Sequence, residues 1–209
     1  MVACGEAELS IRALASRLGR RLLLVHADSG IIWAWFGGGE DPDRIASGEL
    51  EPLTDNGVRA AVGEPAGGIG GWRSTHRQTL ATFALLLRSD RSLLHYPDVA
   101  LLASVAQDEL LVDWLRGSVL GPLTREDDGP DLTRTLRSYF GSSRKASCAA
   151  ADLGVSRHTV TRRLREVEER LGQPLEVIGP RLELALELQE LLRASPPARG
   201  LEGCPQPIP

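Results

Sequence analysis

Ala149-Ala150-Ala151-Asp152-Leu153-Gly154-Val155-Ser156-Arg157-His158-Thr159-Val160-Thr161-Arg162-Arg163-Leu164 reads as two helices joined by a sharp turn. Ala149 and Ala150 supply the small side chains that let the first helix cross the second closely. Gly154, four residues after Ala150, permits the positive φ that the reversal needs. Val155 is placed to plug the turn into a core, and Ser156 is a good N-cap for the helix that follows. Along Arg157–Leu171, Val160, Leu164, Val167 and Leu171 recur at helical spacing and form one apolar stripe. At about 100° per residue, Arg157, His158, Thr161, Arg162 and Arg165 fall on the opposite side.

Such a helix suits the major groove. Arginine pairs with guanine O6 and N7, threonine touches a thymine methyl, and the remaining cations neutralise phosphates. Ser156, Thr159 and Arg163 on the same helix, with Arg144 and Lys145 before the first one, complete the expected contact set for double-stranded DNA. Helix-turn-helix geometry also serves protein-interaction modules, so the pattern alone leaves both readings open.

Charge narrows the choice. Of 24 basic residues only Lys145 is lysine, which is a compositional bias and carries no function by itself. Between Arg137 and Arg165 seven basic residues face a single acid, Asp152, a local charge of +6 within a chain of net −4. The rest of the chain therefore carries −10. A basic segment on an acidic protein is the footprint of a small polyanion-binding module.

Outward from that motif, 209 residues allow one large domain or two small ones. Upstream, helices are expected at Ala7–Arg20 and Trp72–Leu87, with a β-hairpin at Leu22–Ala27 and Ile31–Phe36. Further strands are expected at Val58–Val62 and Ser92–Tyr96, then helices at Asp98–Ala106 and Glu109–Leu120. Polar residues 124–130 read as a linker. Beyond it only helices are expected, at Asp131–Phe140, Lys145–Leu153, Arg157–Leu171 and Arg181–Arg193. The expected division is a first domain over 1–123, the linker, a helix-turn-helix domain over 131–193, and a proline-rich disordered tail over 194–209. No apolar run is long enough to span a bilayer, the N-terminus has no signal-peptide pattern, and Cys4, Cys148 and Cys204 form no C-x-x-C pair. A cytoplasmic protein without membrane partners is expected.

Leu136-Arg137-Ser138-Tyr139-Phe140, the stretch Ala149–Leu164, Glu168, Leu171-Gly172 and Arg181-Leu182-Glu183-Leu184-Ala185-Leu186 resemble the C-terminal DNA-binding domain of PucR/CdaR-type transcriptional regulators. His158 and Arg162 depart from the Asn and Tyr common there, so the operator cannot be borrowed from relatives. Residues 6–123 are similar to the degenerate GGDEF-like domain that precedes this motif in the same family. The supporting residues are the hairpin, Val62-Gly63-Glu64-Pro65, and Arg73-Ser74-Thr75-His76-Arg77-Gln78. The resemblance implies an α+β chain, a truncated ferredoxin-like domain followed by an all-α domain. An active cyclase of that type carries paired glycines and paired acids at its hairpin turn. Here the turn is Ala27-Asp28-Ser29-Gly30-Ile31, and Gly37-Gly38-Gly39-Glu40-Asp41 falls after the second strand, so the domain reads as catalytically dead.

Such a sheet begins with a strand before its first helix, and residues 1–5 read as too few to supply it. A mis-assigned start, a natural truncation, or completion of the sheet by a second chain would each account for that. The exposed edge a missing strand would leave favours a homodimer.

Other chemistry is thin. Gly67-Gly68-Ile69-Gly70-Gly71 lacks the features of a phosphate loop and reads as a flexible connection. His26, Asp28 and Glu64 make a weak metal cluster, since a single strand histidine is more often packed than ligating, and His76 and His95 sit in no ligand spacing. The four tryptophans read as core, although Trp33 and Trp35 share a strand face and could line a small-molecule pocket. No catalytic residue, cofactor or metal is expected. The leading reading is a DNA-binding regulator whose first domain dimerises or relays a signal, with an effector of unidentified chemistry. The alternative is a nucleotide- or small-molecule-binding sensor or enzyme with an auxiliary helix-turn-helix.

Overall fold

The computed structural model describes residues 1–5, 7–27, 30–38, 50, 53, 57–125 and 128–192. The chain is α+β, and it divides into two compact units, Met1–Ser104 and Val105–Glu190. Among the described residues, no helix is long and apolar enough to cross a membrane.

The first unit is built on a five-stranded sheet of order β2-β3-β1-β4-β5, from β1 (Val2–Cys4), β2 (Arg21–His26), β3 (Ile31–Gly37), β4 (Arg59–Val62) and β5 (Leu93–His95). β1 corrects the expectation of a missing first strand. Three residues suffice because β1 is central: Ala3 lies opposite Ile32 on one side and Ala60 on the other. Met1 extends the ladder, accepting from the Ala34 N–H at 2.9 Å and donating its amine to the Ala34 carbonyl at 3.0 Å. A strand this short shows no alternation in sequence, and both its neighbours supply its hydrogen bonds.

Helix α1 (Glu8–Arg17) buries Ile11 and Leu14 in a core with Ala3, Ile32, Ala34, Ala60, Leu50 and Leu53. Those strand residues share one face of the sheet by the period of two. Helix α2 (Gly68–Leu87) packs on β4 and buries Thr79, Thr82, Phe83, Leu85 and Leu86. β4 and β5 are parallel, so α2 is the crossover between them. The glycine-rich stretch 67–71 is largely the first turn of that helix and corrects the reading as a flexible connection. Gly71 is required there, because a Cβ would sit 2.7 Å from Ala66.

Helix α3 (Tyr96–Val105) leads to the second unit, which opens with α4 (Glu109–Trp114), a π-helical segment Leu115–Leu120 and α5 (Gly121–Thr124). The expected boundary was the polar stretch 124–130, whereas the compact units part at Val105. Leu115, Val119, Leu120 and Leu123 are buried, and α5 packs against both α6 (Gly129–Gly141) and α8 (Arg157–Leu171). Within the expected linker, Gly129 and Pro130 open α6, while Glu126 and Asp127 lie outside the described residues. Helices α7 (Ala146–Leu153) and α9 (Leu175–Leu192) complete the unit. α9 starts six residues before the expected Arg181 and contains Pro180. Its first turn is capped from outside, since the Glu168 carboxylate accepts from the Leu175 N–H at 2.8 Å. The expected tail, 194–209, lies outside the described residues.

Gly63 ends β4 against α2, and a Cβ there would lie 2.6 Å from the Thr75 carbonyl oxygen and 2.7 Å from Thr79 Oγ1. Gly63→Ala should lower the stability of the first unit by about 1–3 kcal/mol. Gly70, inside α2 with open space around its Cα, makes the control: Gly70→Ala should raise stability by about 0.5–1 kcal/mol. Thermal melts of both variants check the pair, and equal shifts would refute the close approach at Gly63.

Candidate nucleic-acid interface

The turn between α7 and α8 is built as its sequence requires. Gly154 is left-handed at φ 66, and Val155 N–H bonds the Ala150 carbonyl at 3.0 Å. Gly154 N–H bonds the Ala151 carbonyl at 3.3 Å, which completes a Schellman motif. One residue later Ser156 is extended, and its Oγ accepts from the Thr159 N–H at 3.0 Å. The reversal and the new helix start are thus separated by one residue, Val155.

The other end of α7 is less relaxed. Ser143 and Arg144 are both left-handed, at φ 53 and φ 60. Ser143 N–H reaches the Phe140 carbonyl and Arg144 N–H the Tyr139 carbonyl, so α6 also ends in a Schellman motif, with serine where glycine is usual. Ser138 Oγ ties α6 to α7 through Asp152 at 2.7 Å.

Helix α8 buries Val160, Leu164 and Val167. Leu171, the fourth member of the expected stripe, is half-buried. Arg157, His158, Arg162 and Arg165 are exposed, and together with the half-buried Thr161 they line one open concave surface with Glu166 and Glu169. Arg162 approaches Glu166 at 3.9 Å and keeps 64% of its side chain exposed. Thr161 Oγ1 donates to the Arg157 carbonyl at 3.0 Å, so its hydroxyl is committed within the helix.

Three expected contact residues are placed differently. Arg163 is turned into the helical bundle, with only 17% of its side chain exposed. It donates to the Asp131 carboxylate and, at 3.2 Å, to Thr135 Oγ1, both on α6. Position 163 lies 3 residues from Val160 and 4 from Val167, so the helical period carries it to the buried side; this corrects its assignment to the DNA face. Thr159 is half-buried, with its hydroxyl held by Ser156 Oγ at 2.8 Å. Arg144 is paired with Glu183 at 3.1 Å and lies over the Phe140 ring, its guanidinium carbon 5.6 Å from the ring centre. Lys145 is exposed at the start of α7.

Sequence reasoning missed Arg170. It is 13% exposed and chelates both oxygens of Asp128, at 2.9 and 2.8 Å, while also donating to Glu166 at 2.6 Å. Arg163 and Arg170 stand one heptad apart, which was the available signal. Two arginine–aspartate pairs therefore fix the rotation of α8 against the first turn of α6.

The model of the PucR C-terminal helix-turn-helix domain matches residues 132–189, and the model of a GGDEF-like domain matches residues 5–85. The chain thus carries a PucR-type C-terminal helix-turn-helix domain and a GGDEF-like domain. Its second unit is thus a member of a DNA-binding transcriptional regulator family, and its first is the GGDEF-like partner. The crystal structure of a regulator of polyketide synthase expression from Bifidobacterium adolescentis aligns over 92% of this chain and 79% of its own, at 16% identity and a TM-score of 0.40. No curated protein matches the chain.

In this regulator's first unit, the hairpin closes with Ala27 N–H on the Ile31 carbonyl at 2.9 Å, and Asp28 and Ser29 lie outside the described residues. His26 is exposed and pairs with Glu8 at 2.8 Å, which corrects its reading as a packed histidine. The tryptophans are also not core: Trp33 and Trp35 are half-buried, and Trp72 and Trp114 are each 44% exposed.

The Arg170 hydrogen bonds hold the Asp128 carboxyl below its ordinary value of 3.8. A lowered carboxylate contributes stability that is whole above its unfolded value and is lost as pH falls through the folded one. The second unit should therefore lose stability below about pH 4. Asp128→Asn should be less stable than wild type at pH 6 and should lose less on acidification to pH 3. Parallel losses in thermal melts at the two pH values would show that the pair does not couple to folding.

Proposed function

We propose that this chain is a sequence-specific DNA-binding transcriptional regulator, with the N-terminal two turns of α8 in the major groove of double-stranded DNA. One observation carries the reading: the side of α8 away from its buried stripe is cationic and open, with Arg157, His158, Thr161, Arg162 and Arg165 on it. Arg157, Arg162 and Arg165 are placed to read guanine edges or neutralise phosphates, and Thr161 presents a methyl group. Ser156 and Thr159 shape the helix start, and Lys145, with Arg144 beside it, suits backbone contact. The acids Glu166 and Glu169 follow on the same side and would repel phosphates, which favours docking by the N-terminal half.

The first unit is assigned to dimerisation or signal relay. With β1 in place, the argument from a missing strand falls away, and the edge that supports a dimer is β2. There Leu23 is 54% and Val25 39% exposed. Edge pairing between two copies would cover such residues. A monomeric mass by light scattering at micromolar concentration would remove the dimer from this reading.

Fluorescence anisotropy with the chain's own upstream region and a scrambled duplex tests the DNA reading. Wild type should select its site and weaken steeply with salt. Arg162→Ala should cost about 1–3 kcal/mol if it reads a base, or lower the salt slope by about one if it contacts phosphate. Arg163→Ala should instead reduce thermal stability, because it removes the bonds that tie α8 to Asp131 and to the buried Thr135 on α6. Failure to enrich any sequence from a random duplex pool would overturn sequence-specific recognition.

A further inference from the structure

The first unit contains a cavity of about 660 Å³ at the end of the sheet where β4 and β5 finish, lined among others by Trp35, Trp72, Thr75, Glu64 and His95. This is the end remote from the β2–β3 hairpin, since β3 runs from its Ile31 start at the hairpin to Gly37 at the cavity. The cavity is therefore separate from the turn where a cyclase of this fold would hold its substrate. Its size lies within the range of small-molecule sites.

Its wall is aromatic. Trp35 stacks on Trp72 with ring centres 5.3 Å apart, and His76 lies behind both, at 5.5 Å from Trp35 and 6.0 Å from Trp72. Burial lowers the His76 pKa from 6.5, so the imidazole is neutral at pH 7 and adds a π face without a charge. Leaving tryptophan half-exposed beside a cavity forgoes apolar burial, which a flat ligand on the ring face would restore.

Its polar side holds a fixed acid, Glu64. Gln78 donates to Glu64 Oε2 at 2.8 Å and accepts from the Glu64 N–H at 3.0 Å, while Thr75 donates to the Glu64 carbonyl at 2.6 Å. One bond thus holds the carboxylate and two fix the Glu64 backbone beside the cavity. Of the other ionisable groups there, the Met1 amine is pushed down to about 5 by burial and is neutral at pH 7, and the Arg20 guanidinium stays cationic while it donates to the Gly38 carbonyl. His95 Nε2 is buried without a hydrogen-bond partner among the described residues, which points to a partner that is not part of the chain.

We propose that this cavity binds a planar organic cation carrying N–H donors, with its ring on the exposed face of Trp72, which Trp35 backs, and its charge on Glu64. Tryptophan is the strongest aromatic partner for a cation, and a carboxylate held within reach adds selection by sign. The site is independent of the DNA reading, and either can fail alone.

Isothermal titration calorimetry of the full chain with 4-aminoquinoline, cationic at neutral pH, tests it against quinoline-4-carboxylate, a flat anion of similar size. The cation should bind saturably at one site, and Glu64→Gln, which keeps the acceptor for Gln78, should weaken it by about tenfold. Trp72→Leu, at an exposed position, should weaken it by a similar factor with an unchanged circular dichroism spectrum. Absence of saturable binding, equal affinity for the carboxylate, or affinity unchanged in Glu64→Gln would each overturn the proposal.

Discussion

The rotational setting of α8 is the constraint on which the interface depends. A helix presents whatever its period leaves uncovered, so fixing one side determines the other. Val160, Leu164 and Val167 fix the side by burial, but an apolar stripe tolerates some roll. Arg163 and Arg170 remove that freedom, because each guanidinium reaches one particular carboxylate near the start of α6. Both arginines are largely removed from solvent, and the desolvation of buried ions offsets much of their attraction. Their contribution is therefore orientation more than stability. With those two positions held, Arg157, His158, Arg162 and Arg165 face solvent as a consequence of geometry.

Much of this was legible in the residues. The turn at Gly154, the cap at Ser156 and the bounds of α8 follow from local chemistry, and local chemistry survives into the folded chain. The misassignment of Arg163 has the opposite origin. Counting cations along a helix does not say which of them meet a carboxylate from another element, and Asp131 lies 32 residues away. The same limit hid Glu168 as the cap of α9, whose start lies six residues before the expected Arg181.

In the first unit, short range and long range separate in a similar way. The hairpin and α2 announce themselves through periodicity. β1 does not, because a three-residue central strand draws its hydrogen bonds from neighbours distant in sequence. Its arrival changes the physical argument about assembly: the sheet has no gap at its centre, and only its outer strands have unpaired edges. The tryptophans were misread for a related reason. Composition assigns large apolar rings to the core, yet Trp35 and Trp72 stack at the rim of the sheet, where each covers the other and a cavity remains beside them.

Charge distribution links these features. The segment Arg137–Arg165 carries +6 while the rest of the chain carries −10. Some of that positive charge is internally committed, by Arg163 to Asp131 and by Arg144 to Glu183. The uncommitted part is concentrated at the beginning of α8 and gives way to Glu166 and Glu169 further along. A polyanion approaching such a protein is repelled by most of its surface and attracted by one short stretch. On the proposed reading, the acidic remainder would weaken non-specific association and orient the encounter toward the start of α8.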